Sequence, residues 1–172
     1  MKFLKLTIAT LLTSSALFAG TYNIDVSHSN VGFTVKHMMI TNVSGKFNDV
    51  AGSFEYDEKT NTLTSLSGEI IVASINTANE KRDTHLKADD IFDAEKFPKI
   101  EFKTTKIEDN AVYGDFTMKG VTKNIKLELE NGGVITDPKG NLRAGFELTG
   151  KISRKDFGIT WNKILETGGV TV

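Results

Sequence analysis

Val31-Gly32-Phe33-Thr34-Val35-Lys36-His37 alternates with a period of two. Successive side chains of an extended chain point to opposite faces. Val31, Phe33, Val35 and His37 therefore share one face, and Gly32, Thr34 and Lys36 share the other. The same period recurs along the chain. Val43, Gly45 and Phe47 form one such set, and Gly68, Ile70, Val72 and Ser74 another. Ile100 and Phe102 follow, then Val112, Gly114, Phe116 and Met118, then Ile125, Leu127 and Leu129. The last set is Leu142, Ala144, Phe146, Leu148, Gly150 and Ile152. Each run reads as a strand with one apolar and one wet face. Turn signals separate them at 57–61, at Glu108-Asp109-Asn110, at Lys119-Gly120, at Asn131-Gly132-Gly133 and at 137–141. Short loops between alternating strands predict hairpins and antiparallel pairing. Inward glycines at 45, 68, 114 and 150 suit strongly curved strands.

One stretch breaks the period. Thr77-Ala78-Asn79-Glu80 fits a capping box, with Thr77 as N-cap and Glu80 reaching back. It predicts a short helical insertion around residues 78–93. Arg82, His85, Leu86 and Asp89 fall at helical spacing on one stripe, and Pro98 marks the return to extended chain. The fold class is therefore all-β. A sandwich and a closed barrel both fit, and the sequential hairpins favour an antiparallel up-and-down β-barrel.

The N-terminus carries Lys2 and Lys5, an apolar stretch from Leu6 through Leu12, and Thr13-Ser14-Ser15-Ala16-Leu17-Phe18-Ala19. This pattern predicts a secretory signal peptide over 1–19, cut after Ala19 or, alternatively, after Ala16. The uncharged run is short for a membrane span, so no integral membrane segment is expected after its removal. Residues 20–172 then form one domain by the usual size prior. With no cysteine, the chain has no disulfide, thiol nucleophile or thiolate metal site. A net charge of −1 with both signs interspersed argues against non-specific binding to nucleic acid or to an anionic membrane surface, both of which need a basic excess.

Several motifs are more specific. They are Asp25-Val26-Ser27-His28-Ser29 with Phe33 and His37, and Arg82-Asp83-Thr84-His85-Leu86. Asp89-Asp90-Ile91-Phe92-Asp93 with Phe97-Pro98, Lys119-Gly120-Val121-Thr122-Lys123 and 153–161 around Asp156-Phe157-Gly158 complete the set. With these elements the chain resembles the YceI-like family of periplasmic polyisoprenoid-binding proteins, from about Thr21 onward. The resemblance implies a lipocalin-like barrel, eight-stranded in the family, with a tunnel for a prenyl or fatty chain. It implies a periplasmic carrier or reservoir, with no cofactor and no catalysis, and leaves a homodimer open. Family members continue past the Gly168-Gly169-Val170 stretch with a final alternating strand. The chain ends at Val172, so about one strand is expected to be missing, leaving two unpaired edges.

On this reading Val31, Phe33, Val35, Phe47, Ile70, Val72, Phe102, Phe116, Phe146 and Leu148 line the tunnel. His37, Arg82, His85 and Asp89 form a polar lid. A guanidinium at position 82 offers a planar fork for a headgroup; its alternative is a structural network, with Arg82 on a carboxylate such as Asp89. A lipid-modifying enzyme using His28, His37 or His85 is the rival from another class, and a stress-related structural protein with a filled core is the third. Ser27 or Ser29 beside His28 lacks a nucleophile elbow. His28 and His37 lack the spacing of a helical zinc pair, so no metal is expected.

Overall fold

A computed structural model describes residues 19–162. The predicted signal peptide and the expected missing final strand both fall largely outside the described residues. The alternating runs become strands β1 (Ala19–Asn23), β2 (Val31–His37), β3 (Thr41–Phe47), β4 (Val50–Asp57), β5 (Thr62–Ile71) and β6 (Ile75–Asn76). A helix, α1 (Glu80–Lys87), precedes β7 (Lys99–Glu108), β8 (Ala111–Met118), β9 (Val121–Thr136) and β10 (Leu142–Thr149). All pairings are antiparallel. Seven strands form one sheet in the order β1-β4-β5-β7-β8-β9-β10, and β2, β3 and β6 form a second. The main sheet curls into a half-barrel of the lipocalin-like kind. Its meander from β4 to β10 follows the expected up-and-down order. The departure is at the front, where the β2–β3 hairpin leaves the main sheet and β1 pairs directly with β4.

Three bulges produce the curl. The register slips at Glu55/Tyr56 between β4 and β5, at Thr104/Lys106 between β7 and β8, and at Gly145/Phe146 between β9 and β10. Each extra residue bends its strand and increases the local twist. The third corrects a sequence expectation. Asn131-Gly132-Gly133 is no turn; β9 runs through it for 16 residues. Asn131 pairs with Phe146 and Gly133 with Gly145, leaving Gly132 as the bulged residue. Gly133 takes φ +90, which glycine adopts without a Cβ penalty. A glycine pair can thus kink a strand as readily as it ends one.

Four other expectations are corrected. The strand through Gly68 and Ile70 stops at Ile71. Val72–Ser74 form a 3-10 turn held by the Ser74 hydroxyl, which donates to the Ile71 carbonyl at 2.6 Å. The helix cap is Asn79 rather than Thr77: the Asn79 side chain accepts from the Arg82 N–H at 3.0 Å. Asp89 lies beyond the end of α1. Leu142 and Ile152 are not covered with Phe146, being 45% and 40% exposed.

The interior divides into two clusters. One gathers Phe47, Val50, Val72, Ile75, Ile100 and Phe157 with neighbours. The other gathers Phe54, Tyr56, Leu63, Leu66, Val112 and Leu129. Of the inward glycines, Gly45, Gly114 and Gly150 do not leave space. A Cβ on Gly114 would lie 2.3 Å from the Phe102 ring, and one on Gly45 would lie 2.5 Å from Phe33. The phenylalanines occupy the volume the glycines vacate. Gly114→Val is therefore expected to lower stability by about 1–3 kcal/mol through overpacking, checked by urea unfolding. An unchanged midpoint would mean that Phe102 swings away freely.

Candidate functional site

The residues expected to line a tunnel are divided between the two sheets, with Val31, Phe33, Val35 and Phe47 on β2 and β3, Ile70, Phe102, Phe116, Phe146 and Leu148 on the main sheet, and Val72 in the 3-10 turn. Val31, Phe33, Val35, Ile70, Phe102, Phe116, Phe146 and Leu148 are half-buried, while Phe47 and Val72 are buried. They do not form one continuous set. Phe33, Phe47, Val72 and Phe116 belong with the first cluster, and Phe102, Phe146 and Leu148 with the second. Val35 belongs to neither and faces Val43 across the hairpin. Phe92 and Trp161 join the first group, and no expectation from periodicity included them because they lie outside the strands. At the second cluster the interior is filled by aromatic contacts. Tyr22 stacks on Phe54 at 5.2 Å, and Phe146 meets the same ring edge-on at 5.0 Å.

A separate groove of about 440 Å³ lies on the solvent-facing side of β4, β5, β7 and β8, lined by Ser53, Ser67, Glu69, Glu101 and Lys103 among others. Of the expected tunnel residues it touches only Phe102.

The expected polar lid is rearranged around a residue the sequence reading treated as a cap. Thr77 is 6% exposed. Its N–H and its hydroxyl both donate to one oxygen of Asp83, at 2.9 and 2.5 Å. Arg82 Nε donates to the Thr77 hydroxyl oxygen at 2.8 Å, and Nη2 donates to the Thr77 carbonyl at 2.7 Å. Arg82 and Asp83 thus clamp the chain entering α1 from both sides. Asp89 is not Arg82's partner; it takes part through its backbone carbonyl, which accepts from Lys119 Nζ at 2.8 Å. His85 Nε2 lies 3.1 Å from Asp90, and its ring meets Trp161 edge-on at 4.9 Å. His37 sits at the far end of β2, on a different element.

The motif spacing, now seen as one clamp and one curled sheet, is matched by known proteins. A YceI-like domain matches residues 22–172. The chain belongs to the YceI-like family. A UPF0312 protein of Staphylococcus aureus strain N315 is 39% identical over 150 residues, covering 87% of this chain and 88% of the relative. A crystal structure of the Campylobacter jejuni YceI protein superposes with TM-score 0.67 at 39% identity, covering 80% of this chain and 83% of that one. Burkholderia cenocepacia BcnA shares the fold, with TM-score 0.66 at 21% identity, over 86% of this chain and 91% of that chain.

Within this YceI-like fold the Asp-Phe-Gly element is structural. Phe157 is 2% exposed and meets Phe116 edge-on at 5.4 Å. Gly158 takes φ 74 to turn the chain, and Arg154 Nη1 donates to the Trp161 carbonyl at 2.7 Å. The turn thereby carries Trp161 toward His85 on α1.

The Asp25-Val26-Ser27-His28 element builds a second clasp. Arg143 on β10 donates from Nη1 to Asp25 at 2.7 Å and from Nε to Asp137 at 3.1 Å. Asp25 follows β1, so the clasp links the neighbourhoods of the two edge strands of the main sheet. Hydrogen bonds from His28 and from the Ser27 N–H hold the Asp25 carboxyl down at about 2. Asn141, through its backbone and then its side chain, followed by Arg143, holds Asp137 at about 2. Both folded values lie below the ordinary 3.8. The clasp therefore contributes stability fully above about pH 4, and that contribution is lost as pH falls toward 2. A double Asp25→Asn, Asp137→Asn variant is expected to show a flatter melting temperature between pH 5 and 2 than the parent. Parallel curves would remove the clasp as an acid-sensitive element.

Proposed function

We propose that the protein is an exported binding protein that holds a long apolar lipid on the concave face of its half-barrel. The ligand class is a polyisoprenoid (a prenyl phosphate or quinone-like molecule) or a fatty chain, and the role is that of a periplasmic carrier or reservoir. One observation carries the reading. Phe33, Phe92, Phe116 and Trp161 pack on the first buried cluster yet are only partly covered, as are Phe102, Leu127, Phe146 and Leu148 beside the second. Half-covered apolar side chains beside a buried cluster are what a ligand completes. Binding is by partition, each buried methylene contributing about 0.8 kcal/mol. The Lys2 to Ala19 pattern supports export, and no helix among the described residues is long and apolar enough to cross a membrane.

The rival enzyme rests on three histidines. Among the described residues these sit apart in sequence and role: His28 in the clasp, His37 at the end of β2, and His85 beside Trp161. The filled aromatic cluster around Phe54 favours confining the ligand to the region of Phe33 and Phe116.

Native mass spectrometry of the exported protein tests the reading directly, with a co-purifying lipid as the expected result. Phe33→Asp is expected to weaken uptake of a fluorescent prenyl probe by about tenfold or more, about 1.4 kcal/mol. Phe33→Ala should shift affinity less and leave the protein folded. Unchanged affinity in both variants would discard this face as the site.

A further inference from the structure

The β2–β3 hairpin ends in Met38-Met39-Ile40, which are 44%, 62% and 84% exposed. Single exposed apolar residues are ordinary on protein surfaces; three in succession at a hairpin tip are not explained that way. Met38 and Met39 take φ 49 and 63, and the Ile40 N–H closes the turn on the His37 carbonyl at 3.2 Å. Turns of this shape favour asparagine and glycine. Large apolar side chains are here held at left-handed positions and turned outward.

The hairpin is tied to β6 through only Lys46–Asn76 and Phe47–Ile75, at the end away from the tip. Charge is as uneven as hydropathy. The chain has 22 aspartates and glutamates, yet none lies between Asp25 and Asp49. Lys36 and Lys46 are exposed on the outward face of the hairpin, either side of the Thr34–Ser44 hydroxyl pair. Neither has an ion-pair partner among the described residues. On the opposite face Val35, Phe33 and Val31 lead from the tip toward the first buried cluster.

We propose that the Met38-Met39-Ile40 tip inserts into the surface of an anionic lipid bilayer, with Lys36, two residues before the tip, meeting the headgroups. An apolar wedge with a cation beside it, on a hairpin without carboxylates, has the chemistry of an interfacial anchor. Three side chains fall far short of the about 800 Å² per partner of a stable protein interface, so a second copy of the chain is the weaker occupant. The proposal adds to the lipid-binding reading the surface from which such a ligand is drawn, and it stands without that reading.

The absence of cysteine makes the test specific. Met39→Cys and, as a control at an exposed apolar position away from the hairpin, Ile135→Cys are each labelled with an environment-sensitive fluorophore. Vesicles of phosphatidylglycerol with phosphatidylethanolamine are titrated in, against pure phosphatidylcholine vesicles. The expected result is a blue shift at position 39 with the anionic vesicles, reduced by salt and by Lys36→Glu, and none at position 135. No shift at position 39 overturns the proposal. A shift that grows with protein concentration in the absence of vesicles assigns the tip to self-association and also overturns it. Uptake of the soluble prenyl probe without vesicles is measured on Met39→Asp, whose fold is checked by melting. Retained uptake with lost vesicle binding separates docking from ligand holding, and lost probe binding in the parent fails only the lipid reading.

Discussion

Tyr56→Ala is expected to destabilise the protein by about 3–5 kcal/mol, the largest effect of any single change considered. Tyr56 is 0% exposed, so its removal leaves a cavity at the centre of the second cluster. Its hydroxyl lies 2.9 Å from the Asn61 side-chain oxygen and 2.6 Å from that of Asn131. One phenolic proton serves one acceptor. The phenol therefore donates to Asn131, the nearer, and accepts from the Asn61 amide turned over. Asn131 in turn donates to the Asn61 carbonyl. This network ties the β4–β5 turn to the bulge in β9, strands that are not neighbours in the sheet. Tyr56→Phe keeps the ring and isolates the polar part, with an expected loss of about 1–3 kcal/mol. Urea unfolding of the two variants measures both. If Tyr56→Phe matches the parent, the network does not hold the curl and packing alone does.

Thr77→Val is expected to loosen the helical insertion and cost about 1–3 kcal/mol. Valine preserves the shape but removes the hydroxyl that accepts from Arg82 and donates to Asp83. Each of two charged groups then loses one of its two hydrogen bonds to residue 77, Asp83 keeping the backbone N–H and Arg82 the carbonyl. Both are half-buried, so water recovers part of the loss and the effect stays below that of a fully buried pair. Arg82→Leu should have a comparable effect and weaken a prenyl phosphate and a neutral prenyl lipid of equal length together, because the clamp is structural. Asp89→Ala should stay within about 0.5 kcal/mol, since Asp89 contributes its backbone carbonyl. Melting temperatures and probe affinities of the three variants decide the matter. Selective loss of the phosphate ligand in Arg82→Leu, without a change in melting, would restore the headgroup role and remove the structural one.

The inward sets at Val31–Val35, Val43–Phe47, Ile100–Phe102 and Val112–Met118 were legible because a half-buried strand repeats every two residues, and each such set faces the interior. The errors cluster where period and neighbour compete. Asn131-Gly132-Gly133 satisfies both a turn and a bulge locally, and only pairing with Gly145 and Phe146 selects the bulge. Thr77 suits an N-cap as well as Asn79 does, until Asp83 and Arg82 claim it from the far side. Arg82 and His85 were legible as a polar pair, but their partners Thr77 and Asp90 were not, because both lie off the helical spacing used to find them. Trp161 and Phe92 were missed because they lie outside the alternating strands.

By itself the sequence determined the all-β class, the antiparallel hairpins, the single helical interruption and the family. Those follow from local periodicity, turn chemistry and motif spacing, which a chain carries in consecutive residues. Only the tertiary structure decided that β2 and β3 leave the main sheet, that the interior splits into two clusters, and that the polar insertion is a clamp on Thr77. Those depend on which distant strands meet and in what register, and a one-residue bulge is enough to change which side chains come together.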